Sequence, residues 1–151
     1  MVYRRFSYRI NSGRRDLNDF NSERDVVGSP YAIHAYDVDK NLGGNKGLVI
    51  FRENLKNRHL FLILDHVPNH VAIDHEWTLT HPEIFIQGTE EDLISQPYDF
   101  YKVKEWVYAH GKDPYFPPWT DTVQINAFSP KARELAIKTI LKIAQLCDGV
   151  R

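Results

Sequence analysis

The sequence predicts an α/β fold built on parallel strands, and three observations predict it. Residues 60–64 (Leu60, Phe61, Leu62, Ile63, Leu64) are an unbroken apolar run without alternation, the pattern of a parallel strand covered on both faces. Polar residues begin abruptly at Asp65, so that Asp65, His66, Asn69 and His70 place an acid, an amide and two imidazoles where this strand ends. In parallel α/β folds, ligand chemistry gathers at the C-terminal ends of strands. Finally, an amphipathic helix begins at Ser129, its apolar positions recurring at helical spacing as far as Cys147. The plain alternative for the polar cluster is a set of capping residues in a strand-to-loop turn, and composition does not separate the two.

Taken in order, residues 1–27 read as an irregular polar loop. Arg4, Arg5, Arg9, Arg14 and Arg15 could be mistaken for an organellar transit peptide, but Asp16 and Asp19 follow at once, which suits a solvated loop better. Residues 28–70 read as loop, helix and strand. Pro, Tyr and Gly turn signals fill 29–44, and a helix over 46–56 puts Leu48, Phe51 and Leu55 on one face with Lys46, Arg52, Glu53 and Lys56 elsewhere. The strand is expected over 60–65.

Residues 71–128 make too long a connection for an ordinary βαβ unit, which points to a functional excursion. They hold Trp77, Trp106 and Trp119 and eleven of the nineteen aromatic residues. Sugar rings present flat C–H faces that pack on aromatic planes, so such a loop suits a glycan. For most of these rings the better expectation is a small core of the loop's own. Residues 129–151 close the chain with Ser129 as N-cap, Pro130 at the first helical position, and Ala132, Leu135, Ala136, Ile140, Ile143, Ala144 and Cys147 at helical spacing.

A net charge of -1 and 42% hydrophobic residues lack the basic excess of a nucleic-acid binder. No apolar run approaches the roughly 20 residues that span a bilayer. A single cysteine, Cys147, permits no internal disulfide, so a reducing compartment, the cytoplasm, is expected. Other motifs fail on spacing. His75-Glu76 begins like a zincin helix, yet Leu79 stands where the second histidine should fall, and Gly43-Gly44-Asn45-Lys46-Gly47 matches neither phosphate-loop pattern.

The spacing Asp65-x-Val67-x-Asn69-His70 resembles the first signature stretch of the alpha-amylase superfamily, glycoside hydrolase family 13. Gly28-Ser29-Pro30-Tyr31-Ala32-Ile33, Tyr36 and Leu42-Gly43-Gly44 are similar to the stretch before it. Trp119 to Asn126, Ser129-Pro130 and Cys147-Asp148-Gly149-Val150-Arg151 follow in the family's order. The resemblance implies an incomplete (β/α)8 TIM-barrel segment around strands 3 and 4, with 71–128 as a long aromatic-rich insertion after the third strand. A whole barrel needs roughly 250 residues.

Carried over residue by residue, the resemblance gives Tyr31 to stacking against a sugar, His70 to hydrogen bonding it, and Arg151 to holding a nucleophile ionised. Asp65 braces the site from the strand end. The family's nucleophile falls just past Arg151 and its acid/base further on, so no catalytic residue is expected in these residues and no activity from them alone. Asn69 matches a calcium ligand of many amylases, but Gln124 stands where an aspartate ligand is frequent, and a lost anionic ligand weakens a calcium site. Lys40 and His34-Ala35 depart from the family pattern as well. The expectation is no cofactor or metal, calcium being the one alternative.

The implied function is a fragment of an alpha-amylase-like retaining glycoside hydrolase. Its expected partners are an alpha-glucan or maltooligosaccharide and the remainder of the barrel on another chain, with no nucleic acid and no membrane. The alternative is a noncatalytic glycan-binding or chain-complementing module.

Overall fold

The computed structural model describes residues 29–151. The expected irregular loop over 1–27, its arginine cluster and Gly28 lie outside the described residues. After a 3-10 turn at Lys40–Leu42, helix α1 spans Gly44–Lys56. Gly43 opens it at φ 93, a left-handed conformation that glycine adopts without penalty, and a Cβ there would meet Gly47 Cα at 3.1 Å. Leu48 and Leu55 face the core as expected, whereas Phe51 is 52% exposed, because the helix packs along a narrow stripe and buries none of its residues fully.

Strand β1 (Ile63–Leu64) pairs in parallel with the last strand, β6 (Gly149–Val150), with Ile63 opposite Gly149 and Leu64 opposite Val150. The parallel pairing expected for these segments is thus present. Two features differ from expectation. The ladder is shorter than 60–65, since a strand is hydrogen-bonded only as far as its partner reaches. The apolar run is also covered on one face, not both. Side chains alternate along extended backbone, so Leu62 and Leu64 pack with Ile143 and Cys147 beneath the two helices, while Phe61 and Ile63 point the other way at 83% and 64% exposure.

Residues 70–124 fold into short antiparallel pieces. Strand β2 (His70–Ala72) pairs with β5 (Thr122–Gln124), and β3 (Phe100–Val103) with β4 (Trp106–Ala109). Helices α2 (Trp77–Thr80) and α3 (Glu90–Ser95) lie between, α3 closed by a capping box in which the Thr89 hydroxyl takes the Asp92 N–H and Asp92 takes the Thr89 N–H. The expected small core is present: Val71, Ile84, Phe85, Tyr108 and Val123 are buried together, and Trp77, Tyr101 and Trp106 pack against them. Tyr108 is fully buried, donates its hydroxyl proton to Thr78 O at 2.8 Å and meets Phe85 edge-on at 5.3 Å.

Helix α4 (Pro130–Ala144) begins as expected, with Ser129 Oγ accepting from Ala132 N at 3.3 Å and Pro130 in the first turn. Ala132 joins the core of the excursion and Ile143 the core under β1, so this helix links the two. Ile140 and Ala144, expected on the buried face, are exposed, because α4 rests on other elements along the stripe through Ala132, Leu135, Thr139 and Ile143.

Candidate functional site

Parallel pairing sends the C-terminal ends of β1 and β6 to the same edge, and the polar residues after each strand meet there. Arg151 N donates to Leu64 O and His66 N to Arg151 O, both at 2.9 Å, so the ladder carries Arg151 alongside Asp65. The Arg151 Nε and Asp65 Oδ1 atoms lie 3.1 Å apart. With the arginine side chain 74% exposed, this pair is worth little as a stabilising contact.

The chain then turns at Val67 and Pro68. Tyr36 holds that turn: its hydroxyl accepts from Val67 N and donates to Val67 O, each at 3.1 Å, and its ring stacks on His66 at 5.5 Å. Burial pushes the Tyr36 hydroxyl above the usual tyrosine range, so the proton needed for the second bond stays on.

His70, the first residue of β2, is 7% exposed. Its Nε2 lies 3.2 Å from Tyr31 O and its Nδ1 3.3 Å from Asn69 Nδ2, a donor. These contacts are met together by the neutral ring protonated at Nε2. Burial lowers the His70 pKa from the ordinary histidine value, partly offset by the Tyr31 carbonyl and by Asp121, which agrees with the neutral form. The ring meets Trp119 at a tilt of 54°, with centroids 5.1 Å apart. Gly111 closes the other side, where a Cβ would come within 2.5 Å of Thr122 Oγ1 and 3.0 Å of His70 Cβ. Tyr31 contributes its backbone carbonyl to His70 while its ring stays 48% exposed.

Of the residues singled out in the sequence, the structure therefore brings Tyr31 to His70 and Asp65 to Arg151. The backbone of 65–70 and the Tyr36 clasp connect the two pairs. Asn69 is engaged by Gln124, whose Nε2 lies 2.9 Å from Asn69 Oδ1 and 3.0 Å from Asn69 O. Calcium takes six to eight oxygens, carboxylates prominent among them. Here the Asn69 oxygens already accept from an amide, and the set contains no carboxylate, so the residues do not fit a calcium site. Among the described residues no group of three or more His, Cys, Asp or Glu side chains is placed to hold a metal.

Trp119 and Gly111 were not singled out as site residues in the sequence. Trp119 lay within the expected family stretch and Gly111 was an isolated glycine; their contact with His70 spans more than forty residues and leaves no local signal. A separate cavity of about 390 Å³, lined by His34, Asp74, His75, Trp77 and Lys138 among others, contains none of Tyr31, His70 or Arg151.

No protein-family model and no curated protein matches the sequence. Solved structures do resemble it. An alpha-amylase from Lactobacillus plantarum superimposes with a TM-score of 0.62 at 23% identity, covering 83% of this chain and 26% of that one. Isomaltulose synthase from Klebsiella sp. LX3 gives 0.66 at 20% identity over 83% and 25% of the two chains, and a structure described as a family GH13_31 enzyme gives 0.65 at 17% identity over 80% and 25%. At these identities the likeness is one of fold. The chain has the α/β fold of a segment of alpha-amylase-type barrel domains. It spans about a quarter of the length of the structures it matches.

Proposed function

We propose that these residues form one wall of the substrate cleft of an alpha-glucan-acting, retaining glycoside hydrolase of family 13, with residues 71–128 as the aromatic-rich subdomain inserted after the third barrel strand. The observation that carries this reading is the shared strand edge: Asp65 beside Arg151, with His70 and Tyr31 one turn away. The exposed Tyr31 ring stacks on a sugar face. A sugar hydroxyl takes the place of the Tyr31 carbonyl at His70 Nε2. Arg151 offers its guanidinium to an ionised carboxylate, whose pKa a neighbouring cation lowers.

Retaining enzymes need a nucleophile and an acid about 5 Å apart. The resemblance gives Asp65 a bracing role and neither of these, so we assign no catalytic residue and expect binding without turnover from these 151 residues alone. Cys147 is buried with its thiol directed at Ile143 O, which suits the reducing cytoplasm we propose as its location. Among the described residues no helix is long and apolar enough to cross a membrane.

The test is titration of the 151-residue polypeptide with maltoheptaose, followed by NMR shifts or calorimetry. Tyr31→Ala and His70→Ala should each weaken binding about tenfold, the equivalent of 1.4 kcal/mol. Equal affinity in both variants overturns the assignment. Reducing-sugar release from starch that His70→Ala abolishes overturns the noncatalytic part.

A second reading, a noncatalytic module that completes a barrel with another chain, is favoured by the bare face of β1 at Phe61 and Ile63. It predicts new amide-exchange protection over residues 60–64 when a polypeptide carrying the remaining strands of such a barrel is added.

A further inference from the structure

The side chain of Gln124 sits where five polar groups converge. Its Nε2 faces three oxygens: Asn69 Oδ1 at 2.9 Å, Asn69 O at 3.0 Å and Ile125 O at 3.3 Å. Its Oε1 faces two donors, Asn69 Nδ2 at 3.3 Å and Lys112 N at 3.2 Å. The Lys112 backbone N–H can only donate, which sets the orientation of the amide: oxygen toward residue 112, nitrogen toward the three oxygens. Three oxygens gathered on one point need positive charge at that point. A metal ion would satisfy them, and here two amide protons do.

We propose that the Gln124 amide takes the place of a bound cation, tying β2, β5 and the loop at Gly111 and Lys112 together beside His70 without metal. The inference does not depend on the glycan reading. It follows that the carbonyl cluster is latent, one atom away from a cation site. Exchanging Nε2 for oxygen in Gln124→Glu keeps the length and shape of the side chain, yet turns its three donor contacts into oxygen–oxygen repulsion. The variant then presents Asn69 Oδ1, Asn69 O, Ile125 O and a carboxylate to the same point, which is a hard-cation donor set.

The experiment compares the full chain and Gln124→Glu, each with EDTA and with millimolar calcium chloride. For the wild type the thermal midpoint should be the same under both conditions. For Gln124→Glu it should fall in EDTA and rise by about 5 °C with calcium, since a ligand at a hundred times its dissociation constant adds about 2.7 kcal/mol. Terbium luminescence excited through tryptophan gives a readout independent of melting, because Trp119 N is bonded to Gly111 O next to Lys112. Gln124→Glu should sensitise terbium and the wild type should not. Calcium stabilisation or terbium luminescence of the wild type overturns the proposal, as does a Gln124→Glu chain that answers neither ion. Gln124→Leu, which matches the side chain's bulk without donors or charge, should lose stability and recover none of it with calcium; recovery there also overturns it.

Discussion

The excursion of residues 70–124 and the parallel pair β1/β6 sit side by side in the same chain and are finished to different degrees. The excursion has a filled core, capped by Ala132 and Leu135 of α4: Tyr108, Ile84 and Val123 are fully buried although its strands are only three or four residues long. The parallel pair has helices on one side and nothing described on the other, leaving Phe61 and Ile63 among the most exposed apolar residues. A hairpin or antiparallel pair can close locally, whereas a parallel pair needs a crossover and gains cover only from what flanks it. The comparison places the larger buried core in the excursion and leaves one apolar face bare on the strands that carry Asp65 and Arg151.

The sharpest way to break this comparison is to truncate one buried and one bare aromatic. Tyr108→Ala removes a fully buried ring and its bond to Thr78 O and should cost about 4 kcal/mol in chemical denaturation. Phe61→Ser should change stability by no more than about 0.5 kcal/mol. Similar losses at the two positions would mean that the bare face is covered in solution, and would sink the contrast.

An intermediate effect is expected from pH. His75 is buried and its pKa is pushed down to about 4, chiefly by burial, with His34 adding to the shift and Asp74 opposing it. Its Nδ1 also accepts Trp77 N–H at 3.1 Å, a bond that protonation removes. The folded pKa lies below the unfolded one, so between about 6.5 and 4 the unfolded chain binds more protons. Stability from this residue is therefore complete above about pH 7 and falls as the pH drops through that window, by about 2 kcal/mol at pH 5. His66, His70 and His110, all lowered by burial, act in the same direction. Denaturation curves at pH 7 and 5 test this; His75→Asn, which keeps an acceptor for Trp77 N–H, should flatten the dependence. A slope unchanged in that variant would assign the loss to the other histidines.

The smallest effect is expected on the exposed side of α4. Glu134 accepts from Lys131 and Lys138, which lower its pKa to about 2, yet all three side chains are solvated. Glu134→Gln should leave the thermal midpoint nearly unchanged in ordinary salt, because exposed pairs are screened and cost side-chain entropy. A drop comparable to that of Tyr108→Ala would show that α4 is held by charge instead of by Ala132 and Ile143.

Much of the architecture was legible where signals are local. Ser129 and Pro130 announced the start of α4 through capping chemistry confined to four residues, and the abrupt change at Asp65 marked the end of β1. The parallel relation of β1 to β6 followed from the family resemblance, which makes both segments strands of one barrel. Burial on both faces of β1 was not legible: an apolar run says what a strand can cover, and only the neighbours decide whether it does. The candidate site divides the same way. Asp65, Asn69 and His70 stood out by position at a strand end, and Tyr31 and Arg151 by the family resemblance of the stretches around them, whereas the packing of Trp119 and Gly111 on His70 joins residues far apart in sequence and carries no periodic signature.

By itself the sequence determined the elements that depend on near neighbours: the capped helix α4, a helix over residues 46–56, the polar end of β1, and an aromatic excursion able to build its own core. The tertiary structure alone decided which face of β1 stays bare, that Arg151 meets Asp65, and that one amide of Gln124 gathers the oxygens of Asn69 and Ile125. The reason is range. Caps and turns act within four residues of backbone, but a hydrogen bond between residues fifty-five positions apart exists only once packing has brought them within about 3 Å.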